Sequence, residues 1–435
     1  MATVLQNALL VDLDPMGVAR GGLRVEDGRI TESGEEVRAA QEDEVLDCDG
    51  AVVLAGLVNG HTHLYSALAA GMPAPPKQPR NFHEILKYVW WRLDRALDAE
   101  SIEMSGRIGA LDALRCGTTT LIDHHASPEH IGGSLDLIER GIADVGLRGV
   151  LCYETTDRNG RAGRDEGLAE NRRYLEKCKA SPSGRFAALV GAHASFTVDD
   201  DTLDALARLA DEFDSGVHIH VAEDPCDEEF CRRDHGVALM DRLVEHGILR
   251  AGSIFAHGTH LSSDAIARMN DTSVSLAHNP RSNMNNAVGY TPIGEYKCPV
   301  LLGTDGIGAD MFTESKTAWF KSCDGGAGLS PADVLQMMAS AARRASDELG
   351  VKLGSLSVGS AADVVVTNYR PATPLTGDNL AGHFIFAMGP QHVRHVMVNG
   401  VWALRDGVVR SCDETTVRVA SGDVAAGLWK RMERF

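Results

Sequence analysis

The chain of 435 residues is short of positive charge. Lys and Arg number 42 against 61 Asp and Glu, a net charge of −19. Nucleic acid and anionic membrane surfaces call for a basic face, so the composition argues against both as partners. It fits a protein that handles neutral or cationic small molecules. No apolar run approaches the length of a bilayer-spanning helix. The opening segment, MATVLQNALLVDLDP, has no basic region before an apolar one and no small-residue cleavage pattern, so it is expected to be a strand of the mature protein. The nine cysteines are odd in number and scattered from Cys48 to Cys412. Even the closest pair, Cys226 and Cys231, matches no zinc-finger spacing. Reduced thiols and a cytoplasmic location are expected. There is no internal repeat and no low-complexity tract. With 44% hydrophobic and 24% charged residues, the composition is that of a folded chain with a sizeable core.

What is present falls into three zones. Residues up to about 55 carry short alternating segments (VLQNALLV, LRVEDGRI, AVVLAG) broken by turn residues, the texture of antiparallel strands. The last eighty or so residues repeat that texture in ADVVVTNY, VRHVMVNG and VWALRDGVV. The middle alternates eight short apolar, β-branched runs with amphipathic stretches. The runs begin at Leu57, Thr118, Leu147, Phe186, Val217, Ser253, Ser273 and Pro299. Such runs suit parallel strands buried on both faces. Between them, DTLDALARLADEF sets Leu203, Leu206, Leu209, Ala210 and Phe213 on one helical face. Eight β–α units predict a (β/α)8 barrel over residues 56–352. The segments 1–55 and 353–435 are expected to join as a small β-sandwich.

Polar residues gather where these runs end. His61 and His63 close the first run with one residue between them, so alternation lets both rings share a face. His220 closes the fifth, with Glu223 three residues on. His257, His278 and Asp305 close the last three. In a barrel these ends converge at one mouth. A lone histidine at a strand end is ordinarily a hydrogen-bonded structural group, but this many converging groups point to a site. Three neutral imidazoles and a carboxylate suit a divalent metal such as zinc, with one position left for water. Fe2+ and Mn2+ suit the same set.

The motifs GLVNGHTH, HIHVAED, AHGTHLS, HNPRSN and LGTDG resemble the amidohydrolase superfamily, in its deaminase and chlorohydrolase branch. WWRLDRALD, TTLIDHHASP, CYETTDRNG, HNPRSNMNN and GTDGIGADMF are closer still to the aminohydrolase group called SsnA. The likeness spans nearly the whole chain. It implies that His61, His63, His220 and Asp305 hold one metal ion, that Glu223 shuttles protons, and that His257 binds substrate or the attacking water. Asp305 would take that water's proton. It also implies a homo-oligomer, a dimer or larger. Binuclear members bridge two ions with a strand-four lysine, but no lysine lies between Lys179 and Lys297, which favours one ion.

The expected reaction is hydrolytic deamination of a small aminated heterocycle, purine- or pterin-like, by metal-bound hydroxide. Ring opening of a cyclic amide or ureide, dechlorination of a triazine-like ring, and a metal-binding homologue without catalysis are the alternatives. His125, His193, Arg281 and Arg158 are candidates to touch substrate. For each arginine a salt bridge with one of the many acids is an equal reading. Asp123 is expected to cap a helix or hold a loop, with only one of His124 and His125 facing the pocket. Ser282 and Asn283 are expected to fix loop geometry. Trp90 and Trp91 read as core, unless one indole closes over a flat ring. The run Asp227–Phe230 reads as a solvated surface.

Overall fold

The computed structural model describes residues 2–435. Among the described residues eighteen strands follow one another. β1 is Thr3–Leu13, β2 Met16–Glu26, β3 Arg29–Gly34, β4 Glu44–Asp47 and β5 Val52–Ala55. β6 is Leu57–Thr62, β7 Thr118–His125, β8 Arg148–Tyr153, β9 Phe186–Ala188 and β10 Val190–Ala194. β11 is Val217–Val221, β12 Ile254–His257, β13 Ser275–His278 and β14 Val300–Leu302. β15 is Val364–Thr367, β16 Val393–Val398, β17 Val401–Arg405 and β18 Val408–Val409.

Each of the eight apolar runs of the middle zone becomes strand, the fourth broken into β9 and β10 at Leu189. They form two parallel sheets, β6-β7-β8-β9 and β10-β11-β12-β13-β14. Parallel bridges join the sheets at both margins, Thr62 to Asp305 and Thr155 to Ala192. At the first margin the Thr304 and Asp305 amides both donate to the His61 carbonyl, at 2.9 and 3.0 Å. Helices lie between the strands, among them Ser134–Val145, Gly160–Ala180, Asp200–Phe213 and Pro331–Leu349. Asp200–Phe213 buries Leu203, Leu206, Leu209 and Ala210, the face read from its periodicity. With both faces of the sheets covered, β7 and β8 are buried at every position.

Strands from both ends of the chain share one nine-stranded sheet. Its path is β18-β17-β16-β15-β5-β1-β2-β3, and β4 pairs with β1 off that path. β1 reaches two parallel partners in turn, β4 along Thr3–Gln6 and β5 along Leu9–Val11, across an irregularity between Leu5 and Ala8. Leu5, Leu23, Ile30, Val53, Val364 and Met397 form its buried cluster. A buried ion pair ties this sheet to the parallel strands. Arg148 at the start of β8 donates to both carboxylate oxygens of Asp363 at 2.8 and 2.9 Å.

Candidate metal centre and active site

The ends of β6, β11 and the segment after β14 bring His61, His63, His220 and Asp305 together, their ligand atoms within 4.8 Å of one another. His63 Nε2 lies 2.9 Å from Asp305 Oδ1 and 3.1 Å from His220 Nε2. His61 Nε2 is 3.6 Å from the same oxygen. Close packing makes this convergence possible. A Cβ added at Gly303 would stand 2.5 Å from Asn279 Oδ1 and 2.8 Å from His61 Cβ.

Neighbouring carbonyls orient two of these rings. His63 Nδ1–H donates to the His124 carbonyl at 2.6 Å, and His220 Nδ1–H donates to the His193 carbonyl at 2.5 Å. Two Nε2 lone pairs are thereby left facing each other, an arrangement that calls for a proton or a cation between them. His61 shares a 2.8 Å hydrogen bond with His218 through Nδ1, and its own Nε2 is buried without a partner. Burial pushes the His61 imidazole down to about 3, so it stands as a neutral donor. Burial alone would raise the Asp305 carboxyl, but His61 and His63 beside it hold it well below the usual carboxylate range. Three converging imidazole nitrogens and one ionised carboxylate fit a divalent metal.

Beside this set, Glu223 Oε2 lies 3.4 Å from His257 Nε2. Burial, and then the charge of Asp305, raise the Glu223 carboxyl well above its ordinary value. Glu223 Oε1 accepts from Asn286 Nδ2 at 3.3 Å. His257 Nδ1–H donates to Asn283 Oδ1 at 2.8 Å, which aims the bare Nε2 toward Glu223 and Asp305. His257 and Asp305 both adopt positive φ, 76° and 53°. Side chains rarely adopt that region, and such strain collects at functional sites. Ser282 donates its hydroxyl to Asp305 Oδ2.

The cavity over this set is walled by Phe82, Leu86, Trp90, Trp91 and Phe196 on its apolar side, and His63, His193, His220, Glu223 and Asp305 line it. Several expectations need correction here. Both tryptophans line the cavity rather than the core alone, at the end of the segment Leu86–Trp90 that is wound as a π-helix. Asp227 is buried at the cavity wall, where its carboxylate accepts from the Glu223 amide at 3.0 Å; only the rest of that acidic run reaches solvent. Arg281 pairs with buried Glu314 and Arg158 with buried Asp94, and neither guanidinium lines the cavity. His125 is wholly buried, 3.0 Å from Ser127 Oγ, and also lies off the cavity. His124 stacks on His218 behind the metal set. Asp123 holds a loop, accepting from the Leu64 amide at 2.7 Å. His278 is buried with neither ring nitrogen bonded. Of the four substrate candidates, His193 alone lines the cavity.

Two residues were missed. His218 lies on the same face of β11 as His220, a pairing that the alternation used for His61 and His63 could have revealed. Glu154, directly after β8, sets Oε1 at 3.2 Å from Nδ1 of both His63 and His124. Its only signal was its place at a strand end.

A fold of parallel strands and helices with a His3Asp cluster at the strand ends defines a metal-site hydrolase class. The amidohydrolase family model matches residues 52–403, so the chain belongs to the amidohydrolase family. It is 29% identical over 426 residues, 96% of each chain, to a 5'-deoxyadenosine deaminase of Methanothermobacter thermautotrophicus. It is 28% identical over 433 residues, again 96% of each, to a 5-methylthioadenosine/S-adenosylhomocysteine deaminase of Desulforudis audaxviator. Among solved structures, a zinc-bound adenosine deaminase from Xanthomonas campestris superposes with a TM-score of 0.84 at 22% identity, covering 100% of this chain and 99% of that one. A zinc-bound atrazine chlorohydrolase from Arthrobacter aurescens gives 0.80 at 19% identity, covering 97% and 100%. These structures share the fold, a TIM-barrel type.

Proposed function

We propose that this chain is a metal-dependent aminohydrolase that deaminates a small aminated heterocycle of purine-like or pterin-like kind. The observation that carries the reading is the convergence of three buried imidazoles and one carboxylate, with Glu223 and His257 paired beside them. The full-length deaminase relatives support it.

His61, His63, His220 and Asp305 would hold one divalent ion. The missing lysine between Lys179 and Lys297 favours a single ion, and the zinc in the solved neighbours favours zinc, with Fe2+ and Mn2+ chemically compatible. When bound, the ion supplies the Lewis acidity that brings water's deprotonation into the neutral range. Asp305 accepts the proton of the attacking water, its second oxygen steadied by Ser282. Glu223 gives its proton to the ring nitrogen next to the carbon bearing the amine, which makes that carbon electrophilic. His257, oriented by Asn283, accepts a hydrogen bond from the water or from the added oxygen. Proton delivery to the amine lets it leave as ammonia, so amine and water become oxo product and ammonia. General acid–base help of this kind contributes about 10²–10⁴-fold. The indoles of Trp90 and Trp91 offer flat apolar faces to the ring.

The architecture we infer for this site is a (β/α)8 barrel over 56–352, supported by the bridges at both margins of the two parallel sheets. The nine-stranded sheet, from 1–55 and 353–435, would form the β-sandwich beside it. Among the described residues no helix is long and apolar enough to cross a membrane. All nine cysteines are unpaired, which supports a reducing, cytoplasmic setting.

The test is a reaction panel read by mass spectrometry. Zinc-loaded protein is offered aminopurines, pterins, triazines, hydantoins and oxidised purines. Replacement of amine by oxygen with free ammonia is expected. A product heavier by one water, without ammonia, would establish ring opening and overturn the reading.

A further inference from the structure

Two short helices carry cavity-lining side chains, and one long helix holds the ends of both. Leu64–Ala69 follows His63 and presents Tyr65 and Ser66 to the cavity. Trp91–Arg95 follows the π-turn and presents Trp91 and Asp94. Helices of six and five residues are marginal alone, and their final carbonyls lack partners within the helix. The helix Glu414–Met432 supplies such partners. Trp429 Nε1–H donates to the Leu68 carbonyl at 3.0 Å, and Arg431 Nε–H donates to the Ala96 carbonyl at 2.7 Å. Arg431 also reaches Asp98 Oδ1 at 2.9 Å. The clamp is reciprocal. Arg92 donates to the main-chain oxygens of Met432 and Phe435 at 2.8 and 3.1 Å, where the long helix ends and a cation is favoured. Arg95 lies over the Phe435 ring at 4.2 Å. Trp91 and Asp94 thus face the cavity, while Arg92 and Arg95 of the same turn grip the long helix. From the segment after β8, Arg158 pairs with Asp94 and lies 5.0 Å from the Trp91 ring.

We propose that the helix Glu414–Met432 is a positioning element of the active site, with Arg92 and Arg431 as its positioning residues. It holds the indole wall of Trp90 and Trp91 in place, so that a flat ring meets a preformed surface. The inference rests on the cavity being the substrate site, as proposed above. Without the clamp, each binding event has to order that wall, at a cost in affinity. The metal set stands on other supports. His61 and His220 lie within β6 and β11, His63 directly follows β6, and Asp305 follows β14. Loosening the wall should therefore weaken ring binding and leave the chemical step as it is.

The test compares Arg92→Ala with wild type, both as full-length, metal-loaded chains. The probe is unsubstituted purine, which has no amine to lose, and its affinity is measured by titration calorimetry. Hydrogen exchange over residues 86–96 is followed by mass spectrometry, with β7 and β8 as the internal reference. Arg92→Ala should exchange faster over 86–96 and bind purine about tenfold more weakly, the cost of ordering one or two side chains. Exchange in β7 and β8 and metal content should stay as in wild type. With a substrate that turns over, KM should rise by the same factor at unchanged kcat. Arg92→Lys keeps a donor for one of the two oxygens and should fall between. Should Arg92→Ala not fold, the same readings on Arg92→Lys decide. Arg418→Ala is the control. Arg418 lies on the same helix and pairs with Asp112 at 2.8 Å, outside the clamp, so purine should bind as in wild type. Purine affinity in Arg92→Ala within about twofold of wild type overturns the inference. So do unchanged exchange over 86–96, loss of metal, or no binding of purine by wild type. Ammonia release on the panel above is scored separately. A chain that shows the affinity loss but releases no ammonia keeps this inference and loses the deamination reading.

Discussion

Replacing Glu223 by glutamine isolates proton transfer from every other property of the site. The amide keeps the size of the carboxyl, and its oxygen can still accept from Asn286 Nδ2, which lies 3.3 Å from the carboxylate. Its NH2 group would face His257 Nε2, 3.4 Å from Glu223 Oε2, and that nitrogen is a bare acceptor. The bond from the Glu223 amide to the Asp227 carboxylate does not involve the Glu223 side chain. Packing and stability should therefore change little. What is lost is a group that can give and regain a proton. General acid–base catalysis is worth about 10²–10⁴-fold. At 1.36 kcal/mol per decade, that corresponds to a rise of about 2.7–5.4 kcal/mol in the barrier. The assay is kcat and KM for ammonia release, with metal content measured by elemental analysis on the same preparation. The expected result is a kcat lower by that factor, with metal content and melting temperature unchanged. A variant that keeps its metal and turns over within a few fold of wild type would refute the role of Glu223. A variant that loses its metal would show instead that this carboxylate belongs to the ligand set.

Other substitutions probe the frame around the site. Ser282→Ala removes the hydroxyl that steadies Asp305 and should weaken zinc affinity by about 10–100-fold, measured by competition with a chelator. Gly303→Ala forces a Cβ to within 2.9 Å of His61 N, and should destabilise the fold by about 1–3 kcal/mol in denaturant unfolding while lowering metal content. Arg148→Ala strands Asp363 in a buried setting between the two sheets, and should lower stability by about 3–5 kcal/mol by the same measurement.

The strands and the metal set could be read from the sequence because both rest on local rules. Buried parallel strands show as short apolar runs, so the convergence of His61, His63, His220, Glu223, His257 and Asp305 was legible from their places at or near strand ends, although the same rule also named His278, which does not join them. The cavity wall did not. Arg158 and Arg281 could be read as substrate clamps or as ion pairs, and their partners, Asp94 and Glu314, lie 64 and 33 residues away in sequence. No local pattern encodes such pairings. Asp227 read as solvated because its neighbours are acidic, yet one turn of helix carries it inward to hold the Glu223 amide. Trp90 read as core from its helical spacing, yet it and Trp91 both line the cavity, where the segment Leu86–Trp90 winds as a π-turn. Glu154 had no partner within reach along the chain, and three histidines from three other strands give it its meaning.

The most direct test of a metal-dependent deaminase with one ion is a metal titration of activity. Chelator-stripped protein is titrated with zinc, and ammonia release from the best aminated substrate of the panel is followed at each addition. The account predicts no release without metal and a linear rise that ends at one equivalent per chain. Undiminished release from the stripped protein, or a rise that continues to two equivalents, would contradict it.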